Sequence, residues 1–352
     1  MLDLKALTES LCGRDPSAYQ RAKDRWDSLA KPLGSLGGLE TAICRIAAIT
    51  GDEDVSLKRR KLVVFCADNG VIAQGVSQSD STVTEAVARA LGEGTSTVNY
   101  MASGLSCDVL PVDIGMANGR TPPGVLDRRV RSGTADLFLA PAMEREDCLR
   151  AMEVGFDLAV DAARQGADIL LAGEMGIGNT TTSSAVLSVL LDQPPHDLTG
   201  KGAGLSDVGQ QHKVDVICKA IAFNRPDPED PVDVLSKVGG LDLAALCGFY
   251  LGAAYIRLPV VLDGLITYAA ALCAVRLCPK AGDVLLASHC SGEPASRKAL
   301  EALGLDPLIA AGLRLGEGSG AVAALPLLDM ALRVYHSDHR FASIGIEPYQ
   351  PL

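Results

Sequence analysis

The segment Arg314-Leu315-Gly316-Glu317-Gly318-Ser319-Gly320 sets one carboxylate among glycines in a stretch that is otherwise almost wholly apolar. With Leu313, Leu315, Ala321, Val322 and Ala323 around it, the Glu317 carboxylate is expected to lose part of its hydration. That loss raises its pKa and makes it a better proton acceptor near neutral pH. Glycine on either side lets a ligand come close to the backbone. The same residues also read as an exposed glutamate in a Gly-rich turn. A second segment bears on the choice. Asp168 to Ala172 reads as a buried strand, Gly173-Glu174-Met175-Gly176-Ile177-Gly178 as a glycine turn, and Asn179-Thr180-Thr181-Thr182 as the start of a helix that continues through Ala185 to Leu191. The free N–H groups of such a helix start, together with its dipole, suit a phosphate. No lysine follows in the pattern of a nucleoside triphosphate loop, and the spacing does not match a dinucleotide fingerprint, so a monophosphate is the more natural ligand. Asn-Thr-Thr-Thr is equally an ordinary N-cap region.

These groups need a scaffold. Short apolar runs ending in Gly or polar turns recur at Leu62 to Ala67, Asp108 to Val112, Asp168 to Ala172, Pro259 to Leu262 and Asp283 to Ala287, with Leu137 to Ala140 as a further candidate. Each is followed by a helical pattern, which indicates an α/β chain with a mostly parallel, Rossmann-like sheet covered by helices. Ligands bind such sheets beyond the C-terminal strand ends. Polar residues gather there: Asp68-Asn69-Gly70, Asp113-Ile114-Gly115, Glu174, Asp263-Gly264 and Ser288-His289-Cys290-Ser291. The first thirty residues and Val322 to Tyr335, broken at Pro326, read as helical. They are expected to pair as a small helical domain (1–30 with 322–352) beside a large α/β domain (31–321). The run Asn224 to Pro231 marks a surface loop.

Composition narrows the function classes. The chain has 352 residues, 48% hydrophobic and 21% charged, enough for one large core or two domains. A net charge of −11 argues against nucleic acid as a partner and requires locally placed cations for any anionic substrate. Ten cysteines without a C-x-x-C pair read as reduced thiols of a cytoplasmic protein. His336 and His339 form the closest histidine pair, in a polar segment that reads as solvated, so neither a metal nor a cofactor is expected. Met1-Leu2-Asp3-Leu4-Lys5 lacks the pattern of a signal peptide. Leu243 to Ile256 and Leu265 to Leu277 are too short to cross a bilayer and read as buried helices, so no membrane is expected.

Taken in order, several motifs resemble the nicotinate-nucleotide:dimethylbenzimidazole phosphoribosyltransferase family over nearly the whole chain. They are Lys31-Pro-Leu-Gly-Ser-Leu-Gly37, Cys66-Ala-Asp-Asn-Gly-Val71, Gly75-Val-Ser77 with Val83-Thr84, Ala140-Pro-Ala-Met143, Gly173 to Thr182, Asp233 to Gly240, Leu262-Asp-Gly264, Ser288-His289 and Arg314 to Gly320. The resemblance implies transfer of 5-phosphoribosyl from nicotinate mononucleotide to an aromatic lower-ligand base, with inversion at C1′. It implies Glu317 as general base, Glu174 facing the same cavity, and Met175 and Leu315 as walls for the ring. Gly176, Gly178, Asn179, Thr180 and Lys213 would hold the phosphate, although Lys213 alone reads as a solvated residue. The Gly316 and Gly318 backbone would close over the nucleotide, and Ser79 would contact the acceptor. Asp263, His289 and Ser291 are further candidates that would otherwise only hold loops. Asn69, Asp80, Leu33 and Val87 depart from commoner family patterns. Asp80 and Val87 bear on the acceptor pocket and leave open a phenol- or p-cresol-activating relative. The implied assembly is a homodimer, or a heterodimer of related subunits. A nucleotide-binding oxidoreductase and a non-catalytic partner subunit remain the competing readings.

Overall fold

The computed structural model describes residues 4–347 except Asn118, and also Tyr349. Its centre is a six-stranded sheet of β1 (Arg60–Ala67), β2 (Cys107–Gly115), β3 (Leu126–Asp127), β4 (Ile169–Met175), β5 (Val260–Leu262) and β6 (Leu285–Ala287). The strands lie in the order β3-β2-β1-β4-β5-β6 and every neighbouring pair is parallel. This is an α/β fold in doubly wound order. The order reverses between β1 and β4, which opens a crevice beyond their C-terminal ends.

Alternate residues of β1 explain why it reads as continuous apolar sequence: Val63 and Phe65 join one buried cluster, Leu62, Val64 and Cys66 the other. Side chains leave a strand on opposite sides in turn, so a sheet covered on both faces needs apolar residues at every position. On the first face the helices Arg145–Arg164 and Leu241–Ile256 cross at close range. A Cβ on Gly248 would lie 1.8 Å from the Met152 carbonyl oxygen, and one on Gly155 would lie 1.9 Å from that of Ala245. Glycine at these positions lets the two backbones touch.

On the second face the chain ends meet. Trp26, in the helix Pro16–Asp27, stacks on Tyr335 with ring centroids 5.1 Å apart. Arg25 Nε donates to the Tyr335 carbonyl at 2.9 Å, and Leu29 bridges Arg340. Trp26, Leu29, Leu325, Leu328 and Tyr335 share one buried cluster with Leu62, Val64 and Leu171 of the sheet, so both chain ends pack onto this face; residues 1–3, 348 and 350–352 of the expected small domain lie outside the described residues.

Several elements differ from the sequence reading. Strands β2 and β4 run on to Gly115 and Met175, so Asp113 and Glu174 sit within strands rather than after them. Leu137 to Ala140 forms no strand; Leu137 instead packs with Val71, Val76 and Ala142 in a small separate cluster. The two-residue β3 has no apolar run to announce it. Pro279–Val284 is a 3₁₀ turn that delays β6 to Leu285. Pro326 does not break its helix, which spans Ser319–Tyr335. An interior proline costs about 3 kcal/mol, and the burial of Ala321, Val322, Ala324, Leu325 and Leu328 around it offsets that cost.

Candidate active site

At the end of β4 the turn Gly176-Ile177-Gly178 leads into the helix Asn179–Leu190. Gly178 has φ +95°, and a Cβ there would lie 2.8 Å from the Ile72 side chain, so only glycine fits. Not every N–H of this helix start is free. Asn179 N–H donates to Gly176 O and Thr181 N–H to Gly178 O, while Ile177 N–H donates to Thr84 Oγ1. The Gly178 and Thr180 N–H groups have no acceptor among the described residues. Beside them Lys213 Nζ donates to Thr180 Oγ1 at 2.7 Å. Lys213 lies on the helix Asp207–Asn224 and is 1% exposed, not solvated. Burial lowers its pKa to about 8, against the opposing charge of Glu293.

Facing this cradle, residues 316–318 take three consecutive left-handed conformations, with φ +91°, +61° and +85°. The middle one is Glu317, a conformation unusual outside glycine. Neighbouring strand ends hold it there. Glu317 N–H donates to the Glu174 carbonyl at 3.1 Å, and the Asp263 carboxylate accepts from Gly318 N–H at 3.1 Å and Gly320 N–H at 2.6 Å. Asp263 thus caps the helix Ser319–Tyr335 from the end of β5. Gly173 makes the approach possible: a Cβ there would lie 2.8 Å from Glu317 O. The Glu317 carboxylate is 7% exposed and accepts from Val98 N–H at 3.3 Å. Burial raises its pKa above the ordinary 4.5, opposed by hydrogen bonds from Val98 and Ser96.

Glu174, inside β4, points its carboxyl beneath Gly316 and accepts from the Asn179 side-chain amide. Burial, then the neighbouring Asp242, push its pKa well above the usual carboxylate range.

These groups open onto one cavity of about 260 Å³. Glu317, Glu174, Met175, Gly176, Gly178, Asn179, Thr180, Lys213, Val87, Leu315, Gly316, Asp263, His289 and Ser291 all line it. Gly318, Ser79 and Asp80 do not. Asp80 is exposed and caps the helix Ser81–Glu93 through Thr82, and Ser79 N–H donates to Ser77 Oγ at 3.2 Å. Ser77 and Gln78 reach the cavity in their place. His289 is packed against Gly320 with Nδ1 3.0 Å from Ser288 Oγ, and burial lowers its pKa, which favours the neutral ring.

Sequence reasoning missed Lys201, Gly202, Glu293 and Arg314, which also line the cavity. The strap Gly200-Lys201-Gly202-Ala203-Gly204 has three glycines around a lysine, a signal comparable to the other loops, but no apolar run precedes it to mark a strand end. Gln78 Nε2 ties it down at the Gly204 carbonyl, 2.5 Å away. Among the described residues no group of three His, Cys, Asp or Glu is arranged to hold a metal ion, and no helix is long and apolar enough to cross a membrane. All ten cysteines are free thiols. One cavity thus combines a buried cation and unpaired amides, a desolvated carboxylate, and the apolar side chains of Val87, Met175 and Leu315. It suits a phosphorylated substrate, a flat ring and one proton transfer.

Residues 12–346 match a protein family described as phosphoribosyltransferase. A nicotinate-nucleotide–dimethylbenzimidazole phosphoribosyltransferase of Ruminiclostridium cellulolyticum is 44% identical over 333 residues, covering 95% of each chain. Its namesake from Halalkalibacterium halodurans is 43% identical over 98% of this chain and 97% of its own. The crystal structure of CobT from Thermus thermophilus superposes with a TM-score of 0.89 at 40% identity, over 95% of this chain and 100% of that one. The chain is therefore a phosphoribosyl-transferring enzyme and belongs to the nicotinate-nucleotide–dimethylbenzimidazole phosphoribosyltransferase family.

Proposed function

We propose that the enzyme transfers 5-phosphoribosyl from nicotinate mononucleotide to dimethylbenzimidazole or a related lower-ligand base, by one displacement with inversion at C1′. A lone-pair nitrogen of the acceptor forms the new bond to C1′ as the bond to the pyridinium nitrogen breaks, so nicotinate leaves neutral at nitrogen. The acceptor's N–H proton passes to Glu317. The observation that carries this reading is the desolvated Glu317 carboxylate, bound by Val98 N–H on a loop whose backbone Glu174 and Asp263 hold, in the same cavity as the Lys213–Thr180 cradle. A base with a raised pKa accepts a proton more strongly, and a fixed phosphate holds the ribose for attack. The names of the relatives supply the donor and acceptor.

Val87 supports a second acceptor class. Its apolar side chain lines the cavity where it offers no hydrogen bond to a ring heteroatom, so phenol or p-cresol fits the same wall. Assembly as a homodimer, or as a heterodimer with a related chain, follows the resemblance and is read by light scattering of the isolated chain. The ten free thiols fit a reducing, cytoplasmic setting.

Incubation with nicotinate mononucleotide and a panel of benzimidazoles, purines and phenols, with products identified by mass spectrometry, tests the reading. Glu317→Gln should keep nucleotide binding and lose about 10²–10⁴-fold in turnover. Because the ionised base is the active form, wild-type turnover should fall as pH drops through the raised Glu317 pKa. Near-normal turnover in the variant would remove Glu317 from the mechanism.

A further inference from the structure

Asp242 is fully buried at the start of the helix Leu241–Ile256, behind the cavity wall rather than on it. Its Oδ1 accepts from Leu243 N–H at 3.0 Å, and its Oδ2 accepts from Asn179 Nδ2 at 3.1 Å. The same Nδ2 donates to Glu174 Oε2. One primary amide therefore gives its two hydrogens to two carboxyl groups, and Asp242, ionised at neutral pH and able only to accept, sets the orientation of that amide. Two glycines make room for the arrangement: a Cβ on Gly240 would lie 2.4 Å from Asp242 Oδ1, and one on Gly176 would lie 3.0 Å from Oδ2. No cation pairs with Asp242 among the described residues. Gly240, not Asp242, is the cap position of this helix, so capping does not explain a buried carboxylate here.

Glu174 is the group this arrangement controls. Its Oε1 would lie 2.9 Å from a Cβ on Gly316, so the carboxyl is wedged between the base loop and the Asn179 amide while facing the cavity. Asn179 also opens the helix whose first turn forms the phosphate cradle. One side chain thereby links the nucleotide loop to a cavity carboxyl, and Asp242 is the second anchor of that side chain. We propose that Asp242 is a positioning residue for phosphoribosyl transfer: acting through the Asn179 amide, it fixes the direction of the Glu174 carboxyl group toward the reacting ring. This rests on the function proposed for the site.

The electrostatics agree. Burial and then Asp242 and Asp263 push Glu174 well up, with Glu317 adding to it, while Asp242 itself is raised to about 6 by burial, with Asp68 adding to it. Removing the Asp242 charge takes away one of the repulsions on ionised Glu174, so Glu174 should give up its proton at lower pH.

Steady-state kinetics of the full chain, with thermal midpoints in parallel, test the proposal through Asp242→Ala, Asp242→Asn, Glu174→Gln and the Glu174→Gln/Asp242→Ala pair. Asp242→Ala should lower kcat about 10²-fold with little change in nucleotide KM, the effect of a misdirected group. Asp242→Asn keeps one carbonyl oxygen, which serves the Asn179 amide when its own NH2 turns toward Leu243 N–H and that backbone bond is given up. It should keep kcat within about threefold, since the positioning contact survives, and shift the limb of the pH profile set by Glu174 to lower pH. In the Glu174→Gln background Asp242→Ala should have almost no further effect. Additive losses in the pair, an Asn variant as slow as the Ala variant, or a pH profile unmoved in Asp242→Asn would overturn the proposal. If Asp242→Ala does not fold, the pH profile of the isosteric Asn variant decides alone. Wild-type ribotide formation in the same assay tests the proposed function separately, because the role of Asp242 is read as a ratio to that rate.

Discussion

Replacing Lys213 with methionine should make the protein more stable and the enzyme worse. The lysine is 1% exposed, and burial has moved its pKa from 10.5 to about 8. At ~1.4 kcal/mol per unit, that difference corresponds to roughly 3 kcal/mol against the folded state whenever the amine is charged. The sign follows from proton counting. Below pH 8 both folded and unfolded chains hold the proton and the whole cost is present. Between about 8 and 10.5 the unfolded chain binds more protons, so stability from this group rises with pH, and above that window the cost has gone. Methionine fills the same space without a charge but forfeits the 2.7 Å bond to Thr180 Oγ1. A net gain of about 1–2 kcal/mol at pH 7, or a rise of roughly 1–3 °C in Tm, is expected. Nicotinate mononucleotide loses a charge-assisted contact worth roughly 1.5–3 kcal/mol, a KM increase of about 10–150-fold, whereas free nicotinate, which has no phosphate, should bind nearly as before. In the wild type, nucleotide KM should climb as pH passes about 8 and the cation is lost. Calorimetry with steady-state kinetics at pH 7 and pH 9 reads all three effects. A lower Tm together with equal weakening of nucleotide and nicotinate would refute the assignment, leaving Lys213 as a structural residue.

Two other substitutions probe the loop and the acceptor wall. Gly173→Ala places a methyl 2.8 Å from Glu317 O and 2.9 Å from Gly318 N, both backbone atoms. Turnover should fall about 10²-fold through displacement of the base, with a stability loss of about 1–3 kcal/mol; wild-type turnover would show that the loop position does not matter. Val87→Gln adds an amide to the cavity wall and should shift the product ratio toward benzimidazoles when dimethylbenzimidazole and p-cresol compete at equal concentration. An unchanged ratio would show that Val87 does not set acceptor choice.

The sequence by itself determined the parts whose signals are local. Uninterrupted apolar runs such as Leu62 to Ala67 imply strands covered on both faces, and their alternation with helices implies a parallel sheet. The glycines around Glu317 and before Asn179 mark loops where a backbone turns sharply, and the positive φ angles at Gly178, Gly316 and Gly318 are the physical reason those residues are glycine. Tertiary structure decided what depends on distant segments meeting. Lys213 sits in a helix of mixed polar and apolar residues with no strong face, so only the docking of that helix against Thr180 turns it from a solvated lysine into a buried cation. Asp80 carries the same carboxylate whether it meets an acceptor or caps its own helix, and here the nearby Thr82 N–H claims it. Asp263 reads as a strand-end acid, and Asp242, between the motif ending at Gly240 and the apolar stretch from Leu243, carries no local signal. Their partners, the 318–320 amides and Asn179, lie more than fifty residues away along the chain. Pro326 keeps its helix because packing on that face outweighs a local preference to break. Pattern along a chain reports the environment a residue needs, whereas the identity of its partner emerges only when the folded layers bring the two together.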